Sequence, residues 1–292
     1  MNLLGIPVQA LAGQLLLGLV NGSFYAMLSL GLAVIFGLLG IVNFAHGALY
    51  MIGAYVAYIA LDKFGIGYWY ALLISPLVVG AIGMVVERLL LKRLYKIDPV
   101  YGLLLTFGLA LIAEGLFREQ FGVSGQSYPV PELLQGATQL GFMVLPNYRA
   151  WAVVASLSVC FGTWFLIERT RLGAYLRAGT ENPMLVQAFG INVPVMVTLT
   201  YGAGCALAAL AGVLAAPVIQ VSPLMGSNLI IVVFAVVVIG GMGSIMGSIL
   251  TGVALGLVEG VTKVVYPEAS AIVVFVIMAI VLMVRPSGLF GR

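Results

Sequence analysis

The chain is 292 residues long, 62% hydrophobic and only 8% charged, with a mean hydropathy of +1.17 and a net charge of +3. A soluble domain carries about 25% charged residues, so a soluble globule and a disordered chain are both excluded. The 13 basic residues are too few and too scattered to form a nucleic-acid surface.

At about 20 residues per crossing, the apolar residues suffice for at most roughly nine spans. The 37 Gly lie mostly inside apolar stretches rather than between them. Backbone in lipid must pair internally, which makes helices the default element, and the short alternating strands of a β-barrel are not found in the sequence. The expected fold is an all-α polytopic membrane protein with about eight transmembrane helices plus Gly-broken or re-entrant segments, in one domain over 1–292. The start, MNLLGIPVQALAG, lacks a basic n-region and a small-residue cleavage site and does not read as a cleaved signal. Cys160 and Cys205 sit in apolar runs and read as small packing residues.

In chain order, 10–61 is one Gly-interrupted block, enough for two spans with an irregular stretch near 37–47. A polar loop at 62–67 precedes a span at 68–91 that runs into a basic segment, 88–96. A shorter span covers about 100–117. The longest polar connection, 118–149, contains Pro129, Pro131 and Pro146. A span at 150–167 leads into a second charged segment, 168–192, and another span covers 195–217. The block 228–265 is broken by Gly240, Gly241, Met242, Gly243 and Ser244. A final span, 269–284, stops at Arg285-Pro286.

Lys and Arg distribute unevenly between the two sides of this map. Arg88, Lys92, Arg93, Lys96, Arg169, Arg171, Arg177, Arg285 and Arg292 fall on one side, against Lys63, Arg118, Arg149 and Lys263 on the other. The bias makes the first side, with the C-terminus, cytoplasmic. The side of the N-terminus stays open.

The two broken blocks resemble each other: Val34 to Gly40 followed by Gly47, and Val238 to Gly243 followed by Gly247. Paired Gly-interrupted segments point to a transport pathway at mid-membrane, and a close-packed pair of Gly-rich helices gives the same pattern. The repeat is weak and two-fold. Small residues recur every four positions at Ser244, Ser248, Gly252, Gly256 and Gly260, and again at Gly204, Ala208, Gly212 and Ala216. Such stripes let helix backbones approach closely, within the chain or between subunits.

No source of energy is visible. The sequence has no phosphate-binding G-x-x-x-x-G-K-[ST] loop, no G-x-S-x-G element and a single histidine, so neither an enzyme site nor a metal site is expected. Glu114 and Glu259 are the intramembrane carboxylates that a self-sufficient carrier or channel would use, although Glu259 and Lys263 also fit an ordinary i,i+4 pair. Asn43 and His46 are costly in an apolar block; they line the solute path, cap the helix interruption, or do both.

Within 168–192, Asn182 can N-cap a short helix with Pro183 in its first turn, and Gly190 can end it. Met184, Leu185, Ala188 and Phe189 then offer an apolar face, suited to a groove on a cytoplasmic partner or to the bilayer surface.

These residues resemble a known family. Asn21 to Met27, Gly31 to Gly37, Asn43-Phe44-Ala45-His46-Gly47 and Gly53-Ala54-Tyr55 are similar to the opening of the permeases of branched-chain amino acid ABC transporters. The segment from Arg177 to Asn192 resembles that family's coupling loop, and Ala206 to Pro217 and Gly240 to Ser244 continue the match. The order of motifs is similar to the shorter of the two permease subunits.

The resemblance implies a second permease subunit, two cytoplasmic ATP-binding subunits that carry ATP and magnesium, and a periplasmic solute-binding protein, in a bacterial inner membrane. It places the coupling role on Arg177, Glu181, Asn182, Ala188, Phe189, Gly190, Ile191 and Asn192. Gly37, Gly40, Asn43, His46, Gly47, Gly240, Gly241 and Gly243 become pathway elements, while Ser248, Gly252 and Gly256 serve helix packing. No cofactor is implied for the chain itself. Relatives of such permeases handle urea, short amides or aromatic acids as well as Leu, Ile and Val.

Overall fold

The computed structural model describes residues 2–3, 6–40, 42–95 and 97–291. Among them the chain forms eleven α-helices: α1 (Val8–Leu39), α2 (Ala45–Phe64), α3 (Tyr68–Leu89), α4 (Pro99–Phe121), α5 (Asn147–Arg169), α6 (Arg171–Glu181), α7 (Pro183–Ala188), α8 (Val193–Ala215), α9 (Met225–Gly240), α10 (Ile245–Val265) and α11 (Val273–Val284). Six of these are long and apolar enough to cross a membrane, and α9 and α11 are shorter apolar helices. With 20 residues, α2 is also long enough, at about 1.5 Å per residue, to cross a ~30 Å hydrocarbon core. The chain is an all-α multi-pass membrane protein.

Local chemistry sets the helix ends. Gly40 closes α1 at φ +63, its N–H bonding the Phe36 carbonyl at 2.8 Å. Gly65 closes α2 in the same left-handed conformation, which an L side chain resists. Asp98 caps α4 by accepting from the Val100 N–H, with Pro99 in the first turn. Ser244 caps α10 through the Gly247 N–H at 3.1 Å. The 10–61 block thus becomes two helices with an interruption at 40–44, and the 228–265 block becomes two helices joined at 241–244. The long connection shrinks to 122–146 and contains a small hairpin in which Ala137–Gln139 pairs with Val144–Pro146.

Small residues bring the central helices into backbone contact. α1 and α10 run antiparallel along a shared seam: Gln14 meets Gly260, Gly18 meets Gly256, Gly22 meets Val253 and Gly37 meets Gly243. A Cβ on Gly252 would stand 2.5 Å from the Ala26 nitrogen, and one on Gly18 would stand 2.5 Å from the Gly256 carbonyl oxygen. Ser29 adds a hydroxyl bond to the Ser248 carbonyl at 3.2 Å. The second stripe seats α8, where Gly212 lies against the Tyr50 carbonyl and Gly204 against Ile35. Both stripes therefore pack inside the chain. Close backbone approach of this kind is how helices associate where apolar burial gives no net drive. The share of buried residues falls from 78% in the α1 window to 11% in α4 and 17% in α5, so α4 and α5 form the periphery.

Alternating helix directions gather the loops into two ends. One end holds the C-termini of α1, α3, α5, α9 and α11 and the N-termini of α4, α8 and α10. There the 285–291 tail folds back on the α9–α10 turn, with the Leu289 N–H bonding the Ile239 carbonyl at 2.8 Å. This end carries Arg88, Lys92, Arg93, Arg169, Arg171, Arg177 and Arg285; Lys96 and Arg292 lie outside the described residues. The opposite end is tied by aromatic groups. The Tyr148 hydroxyl is 2.9 Å from both the Tyr68 hydroxyl and the Leu214 carbonyl, and the Trp151 N–H donates to Tyr68 at 3.1 Å. Amphipathic rings of this sort suit a membrane–water boundary.

Candidate functional site

The interruption before α2 lies deep in the bundle. Asn43 Nδ2 donates to the Tyr201 hydroxyl at 3.0 Å, and the Phe44 N–H donates to Thr106 Oγ1 at 3.2 Å. Tyr201 and Thr106 each stand eight or so residues inside their helices, about 12 Å from the end at 1.5 Å per residue. Irregular backbone at this depth is tolerated only where protein pairs its polar groups; Thr106 Oγ1 pairs the Phe44 N–H, and the Asn43 carbonyl accepts from the His46 N–H at 3.2 Å. His46 Nε2 is 3.0 Å from the Leu28 carbonyl, with its ring against Gly31. Both side chains are essentially buried and bond α8 and α1 rather than the first turn of α2, which has no side-chain cap. Asn43 Oδ1 and His46 Nδ1 have no hydrogen-bond partner among the described residues.

The other pathway candidates divide by environment. Gly47 packs on Gly226, and Gly240 on Gly247, each at backbone contact. Gly241, at φ +98, packs on Gly291, while among the described residues nothing lies within 4 Å of a Cβ on Gly40. Gly37 and Gly243 face each other at the basic end, and both line a cavity of about 100 Å³. Leu176, Arg177 and Thr180 form another wall of that cavity.

The structure thus brings two of the glycine candidates into one cavity with Arg177 of the 168–192 segment. Arg177 is held there by Glu168 at 3.4 Å and by the Ile167 carbonyl at 3.3 Å. A Cβ on Gly173 would strike the Ile167 carbonyl, so only glycine lets the first turn of α6 fold against the end of α5.

The sequence pattern indicates one short helix in this segment; the structure has two. α6 precedes the expected one because Arg171 to Glu181 has a two-sided distribution of apolar and polar residues, with Leu172 and Leu176 one turn apart. α7 is the short helix indicated by Asn182 and Pro183. The Asn182 side chain accepts from the Leu185 N–H at 3.0 Å, and Gly190 ends the helix at φ +84. Its apolar face is uncovered, with Met184 83%, Leu185 55% and Phe189 76% exposed. Glu181 and Ala188 are also exposed, Ile191 is half-buried, and Asn192 caps α8 by accepting from the Val195 N–H at 3.2 Å.

Of the two expected carboxylates, Glu114 pairs with Arg118 at 2.8 Å and accepts from Ser227. Glu259 pairs with Lys263 and accepts from the Tyr25 hydroxyl at 2.8 Å. A third, Glu87, is absent from the sequence reading because it sits beside Arg88 at the head of a basic segment. It is 1% exposed and accepts from the Tyr95 hydroxyl at 2.5 Å and from Thr198 Oγ1 at 2.6 Å. Burial, with the Glu87 carboxylate beside it, holds the Tyr95 phenol above its usual range.

The available signal was helical register: Gly80, Gly83 and Glu87 share the face that meets α8. Glu87→Leu takes the acceptor from the half-buried Tyr95 hydroxyl, while Thr198 keeps the Pro194 carbonyl at 3.0 Å; the unpaired hydroxyl costs about 1–3 kcal/mol and should lower the melting temperature in detergent by several degrees. Glu87→Gln keeps the shape and one acceptor and should lose much less. Equal melting of the two variants would contradict this assignment.

Residues 14–282 match the family model described as branched-chain amino acid transport system / permease component. The chain belongs to this family. It is 32% identical over 294 residues to the high-affinity branched-chain amino acid transport system permease protein BraD of Pseudomonas aeruginosa, covering 96% of this chain and 95% of that one. It is 29% identical to the permease protein LivH of Escherichia coli K12 with the same coverage. The permease protein LivM of Escherichia coli K12 is 27% identical, with 91% of this chain matched to 67% of LivM. No solved structure matches the chain. The chain is therefore a permease component of a transport system, a transport subunit rather than a catalytic one, and its likeness to both LivH and LivM places it among proteins of multi-subunit transporters.

Proposed function

We propose that the chain is one permease of an ATP-driven importer that moves branched-chain amino acids, or a closely related small solute, across a bacterial inner membrane by alternating access. A second permease completes the pathway, two cytoplasmic ATP-binding subunits carry ATP and magnesium, and a periplasmic binding protein delivers the solute. The names of BraD and LivH support the substrate class. The observation that carries the reading is the cavity where Arg177 meets Gly37 and Gly243. It sets the segment bearing the exposed α7 face directly against the ends of the central helices.

In this reading the basic end faces the cytoplasm. Nine crossings, α1 to α5 and α8 to α11, then put the C-terminus inside and the start of α1 outside. The ATP-binding subunits seat α7 through Met184, Leu185, Ala188 and Phe189. Their closure moves α6 and α7 as a unit. The displacement passes through Arg177 to α5 and α1, and through Ile191 and Asn192 to α8. Rearrangement around Asn43, His46 and Gly47 then opens the pathway, where the free Asn43 Oδ1 and His46 Nδ1 find polar partners.

The deciding experiment is reconstitution in liposomes. With all subunits, internal ATP and external binding protein, labelled leucine should accumulate; the chain alone should carry none. Leucine flux through the chain alone, without ATP, would overturn the proposal in favour of a self-sufficient carrier. Both carboxylates such a carrier would use are ion-paired within their own helices, Glu114 with Arg118 and Glu259 with Lys263.

A further inference from the structure

The outward stripe of α8, Val195, Leu199, Ala203, Ala206 and Leu210, is the floor of an apolar gutter of about 660 Å³. Its spacing of three and four keeps these residues on one helix face. One bank is α3, represented by Pro76. The other is formed by Leu166 of α5 and by Leu172 and Tyr175 of α6. At the basic end a second hollow of about 270 Å³ shares the walls Val195 and Leu199 and is bounded by Arg88 and Lys92.

Among the described residues no carboxylate pairs with Arg88 or Lys92. Glu87 next door is turned inward onto Tyr95 and Thr198, and Glu168 on the far bank is paired with Arg177. The mouth of the gutter is thus positively charged, while its length is apolar and lies at membrane depth.

We propose that this gutter is a binding site for an anionic phospholipid. An acyl chain lies along α8, and the phosphate rests between Arg88 and Lys92. From Asn192 to Leu210 the floor runs about 27 Å at 1.5 Å per residue, which reaches most of the way through a ~30 Å hydrocarbon core and exceeds what one chain needs. At about 660 Å³ the gutter has room for a hydrocarbon chain, whereas a transmembrane helix, about 10 Å across, would lie over it rather than in it. Ala203 and Ala206 deepen the middle of the floor, where a hydrocarbon chain is narrower than a helix. Basic groups beside a cleft between membrane helices are how lipid phosphates are held. The site also touches both α6 and the start of α8, so the lipid would be wedged beside the segment that precedes α8.

The test is native mass spectrometry of the full-length chain in detergent, with added phosphatidylglycerol or phosphatidylcholine of identical acyl chains. Phosphatidylglycerol should be retained at least fivefold better. The double variant Arg88→Gln, Lys92→Gln alters only exposed side chains, so it should melt normally and retain the two lipids equally. Ala206→Trp, which fills the floor, should reduce retention of both. Equal retention by the unaltered chain, or a preference that survives the double variant, would overturn the proposal. So would efficient cross-linking of an Ala203→Cys chain to a second permease in the assembled transporter, because the gutter would then be covered by protein.

Discussion

Gly256→Leu is expected to prevent the chain from being recovered as a folded, monodisperse protein in detergent. A Cβ at Gly256 already falls on the Gly22 backbone and on the Gly18 carbonyl, and leucine adds three further carbons in the same place. Overpacking a core with an extra methylene costs about 1–3 kcal/mol when side chains can give way. Here the obstacle is the backbone of a helix that cannot give way without leaving its neighbour. The whole α1–α10 seam must open, and the loss should exceed that range. Gly108→Leu is the matched control: nothing lies within 4 Å of a Cβ there, so the variant should fold and melt like the unaltered chain. Size-exclusion chromatography and thermal melting of the two variants check the prediction, and similar behaviour would show that the seam is not what holds the bundle.

Leu185→Asp combined with Phe189→Asp is expected to act in the opposite way, leaving the fold intact and abolishing transport. The two side chains are 55% and 76% exposed, so their replacement removes little packing from the chain itself. If α7 docks in an apolar groove of an ATP-binding subunit, two carboxylates there must be desolvated without partners, a cost of several kcal/mol. A loss of 4 kcal/mol is close to a thousandfold in affinity. The variant should insert and melt normally, fail to retain the ATP-binding subunits during purification, and lose ATP-dependent leucine uptake by at least a hundredfold. Normal recovery of the complete transporter with both aspartates present would remove α7 from the interface.

Much of the fold is legible in the sequence because membrane helices must satisfy their own backbone. The interruption at 40–44, the turn at 241–244 and the caps at Asn182 and Gly190 all follow from where Gly, Asn and Pro stand. The stripe from Ser244 to Gly260 shows that a close seam exists; only the structure shows that α1 is its partner, because that pairing joins residues more than two hundred positions apart. Glu87 escapes sequence reading for a related reason. Its two hydroxyl partners come from the connection after α3 and from α8, so its burial is a tertiary fact. Asn43 and His46 were legible as polar residues needing partners, but Tyr201 and Leu28, which provide them, were not.

The seam between α1 and α10 has a mechanical corollary. Where glycines meet, the two helices have no long side chains between them to tilt or repack, so the seam forms a stiff spine that resists sliding. Side-chain contacts can be exchanged one rotamer at a time, whereas a glycine seam either holds or separates along its length. A stroke that leaves this seam intact falls to the parts hung on the spine, among them α6, α7 and the start of α2, which side-chain hydrogen bonds hold to α4 and α8. The seam is thereby the frame of the bundle, the fixed part against which the proposed stroke would act.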